Sequence, residues 1–258
     1  MPELPDIEVF ASNLNKIFAG KKVMKLKVVN GNKLKDSVKE LSASIDGKTL
    51  QRLYMSGKEM RFLFTDNTLL GLHLMLTGDI LIFDKTNDHK FTILEMKFSN
   101  GRGLALTDRM RNANVRLNPV DKKGPDAIAK ELNFKYLKGV FKTKRKVKDL
   151  LLDQDVIRGI GNSYSDEILW QSRISPYSVA EALPDDKIKE LVTTIKKVLK
   201  AEIKRINKKH PGITSDEIKE FLQIHTKAHT ESPTGYAIKI DKKGMRKTYW
   251  TDEQVLYR

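Results

Sequence analysis

Apolar residues recur along this chain with two different periods, and the switch between them divides it. Ile7, Phe10, Leu14 and Ile17 return every three or four positions, as on one helical face, and Gly20 closes that segment. Four strand-like runs follow: "KKVMKLKVV", "EMRFLF", "TLLGLHLMLTGDILIF" and "FTILEMKFS". In the third, Leu70, Leu72, Leu74 and Leu76 alternate with His73 and Met75, as on a half-buried strand. Turn chemistry, "TDN" and "SNG", separates the runs. At "LNPVDKKGPDA" two prolines, a glycine and several charges read as a linker.

Beyond that linker the period is helical. It is clearest in "DKIKELVTTIKKVLKAEIKRI", where Ile188, Leu191, Ile195, Val198, Ile203 and Ile206 make an apolar stripe. Thr214 and Glu217 in "TSDEIKEFL" have the spacing of a capping box. The tail then reverts to strands, "GYAIKID" and "RKTYWT", around "KKGM", a hairpin in which Gly244 supplies a positive φ. The pattern thus predicts a strand-rich half, a linker, a helical half and a terminal hairpin, with no internal repeat.

Charge adds a partner to this picture. Forty-eight Lys and Arg against 33 Asp and Glu leave +15 on 258 residues, with a pI near 9.7. Such an excess points to a polyanion, most often nucleic acid, although a lysine-rich solvated surface has the same composition. Zero cysteines excludes disulfides, thiol catalysis and any cysteine-ligated metal. No apolar run is long enough to span a bilayer, and the opening lacks a basic region followed by an apolar stretch. The chain reads as soluble, intracellular and not secreted.

Two stretches carry candidate chemistry. "MPELPDIE" sets Glu3, Asp6 and Glu8 close behind the N-terminus, either as the acidic first turn of an ordinary helix or as part of a reactive amine site. Removal of Met1, which a small second residue favours, would present Pro2 as a secondary amine. An α-amino group has a pKa of about 7.7–8.0 against about 10.4 for lysine, so part of it is unprotonated at neutral pH. Attack by such an amine on a sugar aldehyde or its equivalent gives an iminium electron sink, and Glu3 is an adjacent acid–base group. The second stretch, "IRGIGNSYSDEILWQSRISP", sets two glycines and Asn162 before a helix. That geometry can present backbone N–H groups and a side-chain donor to a phosphate. It lacks the third glycine and the preceding strand of a dinucleotide fingerprint, and contact with a DNA backbone suits it better.

Together, "MPELPDIE" and "GIGNSYSDEILW" resemble the formamidopyrimidine-DNA glycosylase and endonuclease VIII family, the second matching its helix–two-turns–helix element. Further similarities follow in order: "GKEMRFLF", "LHLMLTG", "SNGRGLALTDRMR", "GPDAIAKELNFKYLKG" and "MRKTYW". The resemblance covers essentially the whole chain. It implies an α+β fold with an N-terminal β-sandwich flanked by helices (1–118) and a linker (119–126). A helical domain with the helix–two-turns–helix motif (127–228) and a terminal hairpin (229–258) complete it. The implied activity is that of a bifunctional DNA glycosylase and AP lyase acting on damaged double-stranded or single-stranded DNA. The implied protein is a monomer with no cofactor and no membrane association, cytoplasmic in a bacterium or nuclear in a eukaryote. By match to the family, Pro2 is the nucleophile and Glu3 the acid–base residue. Lys58 serves phosphate contact and strand elimination, while His73 and Asn162 hold the phosphates flanking the lesion. Lesion extrusion costs a few kcal/mol, least for damaged or mismatched bases.

The chain also departs from the family. Many members end in a four-cysteine zinc finger. This tail keeps only the hairpin, with Arg246 matching the phosphate-gripping arginine and Tyr236, Tyr249 and Trp250 available for packing in place of metal. His225 and His229 do not suffice for a zinc site, since soft ligands are absent and their segment reads as a polar loop. Asp6 stands where a glutamate is usual; its shorter reach predicts reduced efficiency or altered substrate preference. The residues that fill the gap left by an extruded base, commonly Met, Arg and Phe, align with Leu76, Met110 and Asn112. Leu76 can wedge apolarly. Met110 cannot hydrogen-bond the orphaned base, a task open to Arg109 or Arg111, and weak discrimination between opposite bases is expected. The basic run "FKTKRKVK" reads either as a solvated face or as a DNA contact through Lys144 and Lys148. Two rival readings are a non-catalytic DNA-damage binder and a basic ribosome-associated protein sharing only the helix–turn motif.

Overall fold

The computed structural model of this chain describes residues 1–31, 33–244 and 246–258, Lys243 by its backbone alone. It divides into two compact units, residues 1–121 with 206–217 and residues 122–205 with 218–258.

The first unit opens with α1 (Leu4–Phe18), started by Pro5 in its first turn and buried along Ile7, Phe10, Leu14 and Phe18. Two antiparallel four-stranded sheets follow. One has the order β1 (Val23–Val28), β6 (Thr92–Phe98), β7 (Arg102–Asp108), β5 (Gly78–Asp84). The other has the order β2 (Leu50–Ser56), β3 (Glu59–Phe64), β4 (Leu69–His73), β8 (Asn114–Leu117). Phe62, Phe64 and Leu72 from one sheet meet Leu94, Met96 and Leu104 from the other in a single core that α1 also enters, giving the expected sandwich. Asn15 Oδ1 ties α1 to β2 by accepting the Leu53 N–H at 2.7 Å. A short α2 (Val38–Ile45) is capped by Ser37, whose hydroxyl accepts from Glu40 N–H while the Glu40 carboxylate accepts from Ser37 N–H.

Two expectations for this unit need correction. The long apolar run of Leu69 to Phe83 is two strands in different sheets, not one, and Leu76 does not lie on a half-buried strand. The strand ends at His73, Met75 takes φ +57, and Leu76 is 61% exposed on the intervening turn. Gly78 enforces the break: its N–H reaches Leu74 O at 2.9 Å, so close that an added Cβ would stand 2.3 Å from that oxygen. Nor does a helix begin at Thr214. Its hydroxyl is spent on Ile80 O at 3.2 Å, the Asp216 N–H on Asp79 Oδ1 at 3.2 Å, and Ile213 O accepts from Asn13 Nδ2 at 2.9 Å. These bonds hold residues 213–217 outside any helix, with Asp216 at φ +74, and the capping-box spacing is incidental.

The second unit is helical: α3 (Phe134–Val140), α4 (Val147–Leu152), α5 (Asn162–Gln171) and most of α6 (Asp185–Lys209). Gln154 shapes the double turn between α4 and α5. Its amide donates to Leu152 O and Ile160 O at 3.0 and 2.9 Å and accepts the Gly159 N–H at 2.9 Å, with Gly159 at φ +100. The chain ends in the expected hairpin, β9 (Lys239–Lys243) paired with β10 (Arg246–Trp250), and Gly244 at φ +60. Met245, which belongs to the expected turn, lies outside the described residues.

Side chains do in this hairpin what metal does in zinc fingers. Asp166, fully buried on α5, accepts from Lys148 Nζ at 2.6 Å through Oδ1 and from the Tyr249 N–H at 3.0 Å through Oδ2. His225 Nδ1 lies 2.7 Å from Oδ2, and Lys148 also donates to Thr248 Oγ1 at 2.9 Å. The next residue, Glu167, accepts the N–H groups of Gln223, Ile224 and His225. Tyr249 packs with Trp170 and Ile224, and Trp250 stands edge-on to Tyr177, while Tyr236 is 47% exposed and plays no such part. Zinc does not fit: the chain has no thiolate, and among the described residues no group of three His, Asp or Glu could hold a metal.

Breaking such a buried ion pair from one side typically costs about 3–5 kcal/mol, because the remaining charge loses its partner. Lys148→Met is expected to lower stability by that amount in urea denaturation, whereas overnight chelation leaves the wild-type midpoint unchanged.

Candidate active site

Pro2 and Glu3 are buried at the start of α1. Glu3 is the N-cap, in extended conformation at φ −108 and ψ −175, and forms a reciprocal capping box with Asp6. One half is the Glu3 N–H donating to Asp6 Oδ2 at 3.0 Å; the other brings the Glu3 carboxylate onto the Asp6 N–H. Asp6, only 1% exposed, thus turns its carboxylate back toward Glu3. Aspartate reaches across the three residues of a capping box, which gives the shorter side chain a use of its own. The ammonium of Met1 donates to Glu217 Oε2 at 2.7 Å, an ion pair that pattern reading did not anticipate.

Lys58 occupies the two-residue turn between β2 and β3, where Ser56 pairs with Glu59, and Glu59 in turn pairs with His73 at the end of β4. One end of the sheet therefore carries both Lys58 and His73. Burial, reinforced by the charge of Lys58, lowers the His73 pKa from 6.5 to about 4. The Met75 N–H donates to His73 Nδ1 at 3.0 Å, which assigns the remaining proton to Nε2. At neutral pH His73 is an uncharged N–H donor beside a cation.

Asp108 organises the neighbouring loop. Its carboxylate accepts the N–H groups of Met110, Asn112 and Ala113 at 2.9, 2.6 and 2.7 Å and the hydroxyl of Thr77. Burial would raise its pKa, but these bonds together outweigh it and hold the carboxyl below its usual range. Thr77 follows Leu76, so one carboxylate links the two loops that expose Leu76 and Met110, the latter 51% exposed. Arg109 and Arg111 flank Met110 and are exposed, Arg111 at φ +54. Asn112 is held inside the loop, accepting from Lys33 Nζ at 2.6 Å.

In the second unit Asn162 is the first residue of α5, and its Nδ2 donates to Lys247 O at 2.8 Å. That bond fixes the strand residue next to Arg246, whose side chain is exposed. The buried Asn162 Oδ1 has no hydrogen-bond partner. Lys144 is exposed, but Lys148 is not available to a ligand: it is buried and paired with Asp166. Asp108 and Asp166 escaped the sequence reading, and Glu217 was read there only as a helix-start residue, not as the partner of Met1. Only Asp108 had a signal, its place directly before the run "RMR".

Two family models match the chain: the formamidopyrimidine-DNA glycosylase N-terminal domain over residues 1–115 and the formamidopyrimidine-DNA glycosylase H2TH domain over residues 123–214. A formamidopyrimidine-DNA glycosylase of Lactobacillus gasseri is 29% identical, with 100% of both chains covered. One of Streptococcus mutans is 30% identical over 80% of this chain and 79% of that protein. Among solved structures, a complex of the LlFpg protein with THF-DNA and an inhibitor superposes with a TM-score of 0.87 at 26% identity. It covers 97% of this chain and 98% of the other.

The state of His73 is measurable. By NMR it is expected to titrate near 4 instead of 6.5. Between those values the unfolded chain takes up a proton that the folded chain refuses. The residue therefore makes the fold progressively less stable as pH falls from 6.5 to about 4, with no further loss below. His73→Gln is expected to flatten that part of the stability curve.

Proposed function

Since this chain belongs to the formamidopyrimidine-DNA glycosylase family, we propose that it is a DNA glycosylase and AP lyase that excises damaged bases through the amine of Pro2. The observation that carries this reading is the N-terminus. Pro2 and Glu3 are buried together, and the capping box with Asp6 leaves Glu3 little freedom. After loss of Met1, the Pro2 nitrogen attacks C1′ of the damaged nucleotide and the bond from C1′ to the base breaks. The Glu3 carboxyl gives a proton to the sugar ring oxygen as the ring opens, leaving an iminium on Pro2. Loss of a C2′ proton then expels the 3′ phosphate and cuts the strand. Asp6 acts through Glu3 as a positioning residue.

Phosphates meet donors of different kinds. Lys58 supplies charge; neutral His73 supplies a directional N–H; in the second unit Arg246 supplies a charged fork, steadied by Asn162 through Lys247 O. Leu76 and Met110 enter the stack where the damaged nucleotide leaves, and Arg109 and Arg111 approach the orphaned base. Lys144 adds a backbone contact; Lys148 takes no part.

Borohydride trapping on lesion-bearing DNA tests the proposal against a purely binding protein, because only an iminium reduces to a covalent complex. Protein shown by mass spectrometry to retain Met1 is expected not to trap, its Pro2 nitrogen being an amide. Glu3→Gln should lose excision by about 10²–10⁴-fold, the usual worth of a positioned acid–base group, while still binding damaged duplex. Normal lyase activity with Met1 in place would overturn the assignment of the nucleophile.

Arg246→Ala should weaken binding by about 1.5–3 kcal/mol, as expected for a charged hydrogen bond. The slope of log affinity against log salt should become shallower by about one. An unchanged slope would mean that Arg246 does not reach a phosphate.

A further inference from the structure

We propose that Arg61 is a positioning residue for Lys58: with Ser56, it fastens both ends of the Lys58 turn to Asp121. The proposal deepens the reading of Lys58 as a phosphate-contacting and strand-eliminating group, and rests on that reading. All the residues concerned belong to the first unit.

Three observations lead there. Arg61 is only 4% exposed, although Met60 and Phe62 beside it on β3 are the residues that enter the core. Alternation along the strand sends Arg61 to the opposite face of the sheet, together with Glu59 and, across on β4, His73. A cation buried there meets no phosphate, so its charge serves the protein itself. Secondly, its partners surround the turn. Arg61 Nη2 lies 2.8 Å from Glu59 Oε2 and donates to Asp121 Oδ1 at 3.0 Å, and Nη1 donates to Pro119 O at 3.0 Å. The Ser56 hydroxyl donates to the same Asp121 Oδ1 at 2.9 Å. Ser56 and Glu59 are the cross-strand pair that closes the turn of Gly57 and Lys58. One oxygen of Asp121 thus holds one end of the turn directly and the other through Arg61. Thirdly, the sheet makes room for this cluster. Gly71 pairs with Arg61 on β4, and an added Cβ there would stand 2.8 Å from Pro119 Cγ and 3.4 Å from Arg61 Nη1.

The chemistry of the cluster suits placement better than stability. A buried ion pair returns little more than its desolvation cost, and an apolar side chain would fill the same space. A guanidinium differs from such a filler in direction: its planar fork of donors fixes the acceptors it meets. Lys58 needs that help. Its ammonium stands at the end of a flexible four-carbon stem, and Gly57 beside it, at φ +62, leaves the turn compliant. A displacement of about 1 Å can cost a reacting group about a hundredfold in rate.

The test asks whether Arg61 acts through Lys58. Strand cleavage of a duplex with one abasic site is timed at saturating protein for wild type, Arg61→Met, Lys58→Ala and the double variant. Arg61→Met should cleave about ten- to a hundredfold more slowly than wild type. The double variant should cleave no more slowly than Lys58→Ala, because Arg61 has nothing to position once Lys58 is gone. Titration of His73 by NMR, measured without DNA, gives a second readout. Burial and the charge of Lys58 hold that pKa at about 4. Arg61→Met should raise it, yet leave it unmoved in the Lys58→Ala background. If Arg61→Met does not fold, Ser56→Ala, which alters no charge, takes its place in both measurements, with smaller effects of the same sign. Cleavage by the substituted protein at the wild-type rate, or losses that multiply in the double variant, would overturn the proposal. So would a His73 titration that shifts equally with and without Lys58. Wild-type cleavage by Lys58→Ala would refute the reading of Lys58 itself and take the proposal with it, an outcome separate from a failure of Arg61 alone.

Discussion

The metal-free hairpin depends on one buried carboxylate. Asp166, on α5, has to be satisfied where water cannot reach it, and its partners come from three places in the chain: Lys148 on α4, His225 on the segment after α6, and the backbone of Tyr249 on β10. A carboxylate has several acceptor sites, so it can join elements much as a tetrahedral ion does. The comparison has a limit in energy. Metal binding contributes folding free energy outright, whereas a buried ion pair returns little more than its desolvation cost. What Asp166 gives is a unique arrangement, and the apolar contacts of Trp170, Ile224 and Tyr249 provide the stability around it.

Asp108 repeats the device in the first unit. It collects three N–H groups and a hydroxyl, and thereby sets the loops that expose Leu76 and Met110. Loops that project apolar tips into solvent have no core of their own to fix them. A buried anion with directional acceptors can hold such a loop while its tips stay free to meet a ligand. Positive φ at Met75, Phe91 and Arg111 marks the cost of that projection.

Regular periodicity was legible wherever one face of an element is buried and the other is not. The runs that became β3 and β6 and the stripe on α6 are of this kind. It failed where burial has no period. Almost every residue of α5 is buried, Asp166 and Glu167 included, so its sequence shows no single apolar face, and the helix was read from the glycine–asparagine turn that precedes it. The run from Leu69 to Phe83 looked continuous because both of its strands face the same core, and the break lies in a backbone contact at Gly78. Thr214 and Glu217 matched a helix-start pattern, yet the hydroxyl and the carboxylate each found a distant partner in Ile80 and Met1. Short-range patterns carry no account of such competition. The capping box that holds Glu3 against Asp6 is of the opposite kind: it is local, contained within six residues of the N-terminus.

Net charge overstates what the chain can bring to a phosphate backbone. Lys148 neutralises Asp166, Arg61 is buried against Glu59 and Asp121, and Arg158 pairs with Asp126. Arg173 and Arg205 are likewise engaged, with Glu253 and Glu202. The buried pairs among these enter the formal +15 but release no counterions when DNA binds, because their charge is already matched inside the fold; Arg173 and Arg205, 41% and 52% exposed, are matched at the surface. The salt dependence of binding therefore reports only the exposed set, in which Lys144, Arg109, Arg111 and Arg246 stand, and not the composition. The same distinction explains how a basic run can mislead. In "FKTKRKVK" Lys144 lies exposed before α4 whereas Lys148 is buried on α4, so two lysines of one segment do opposite work, one on the surface and one holding the hairpin.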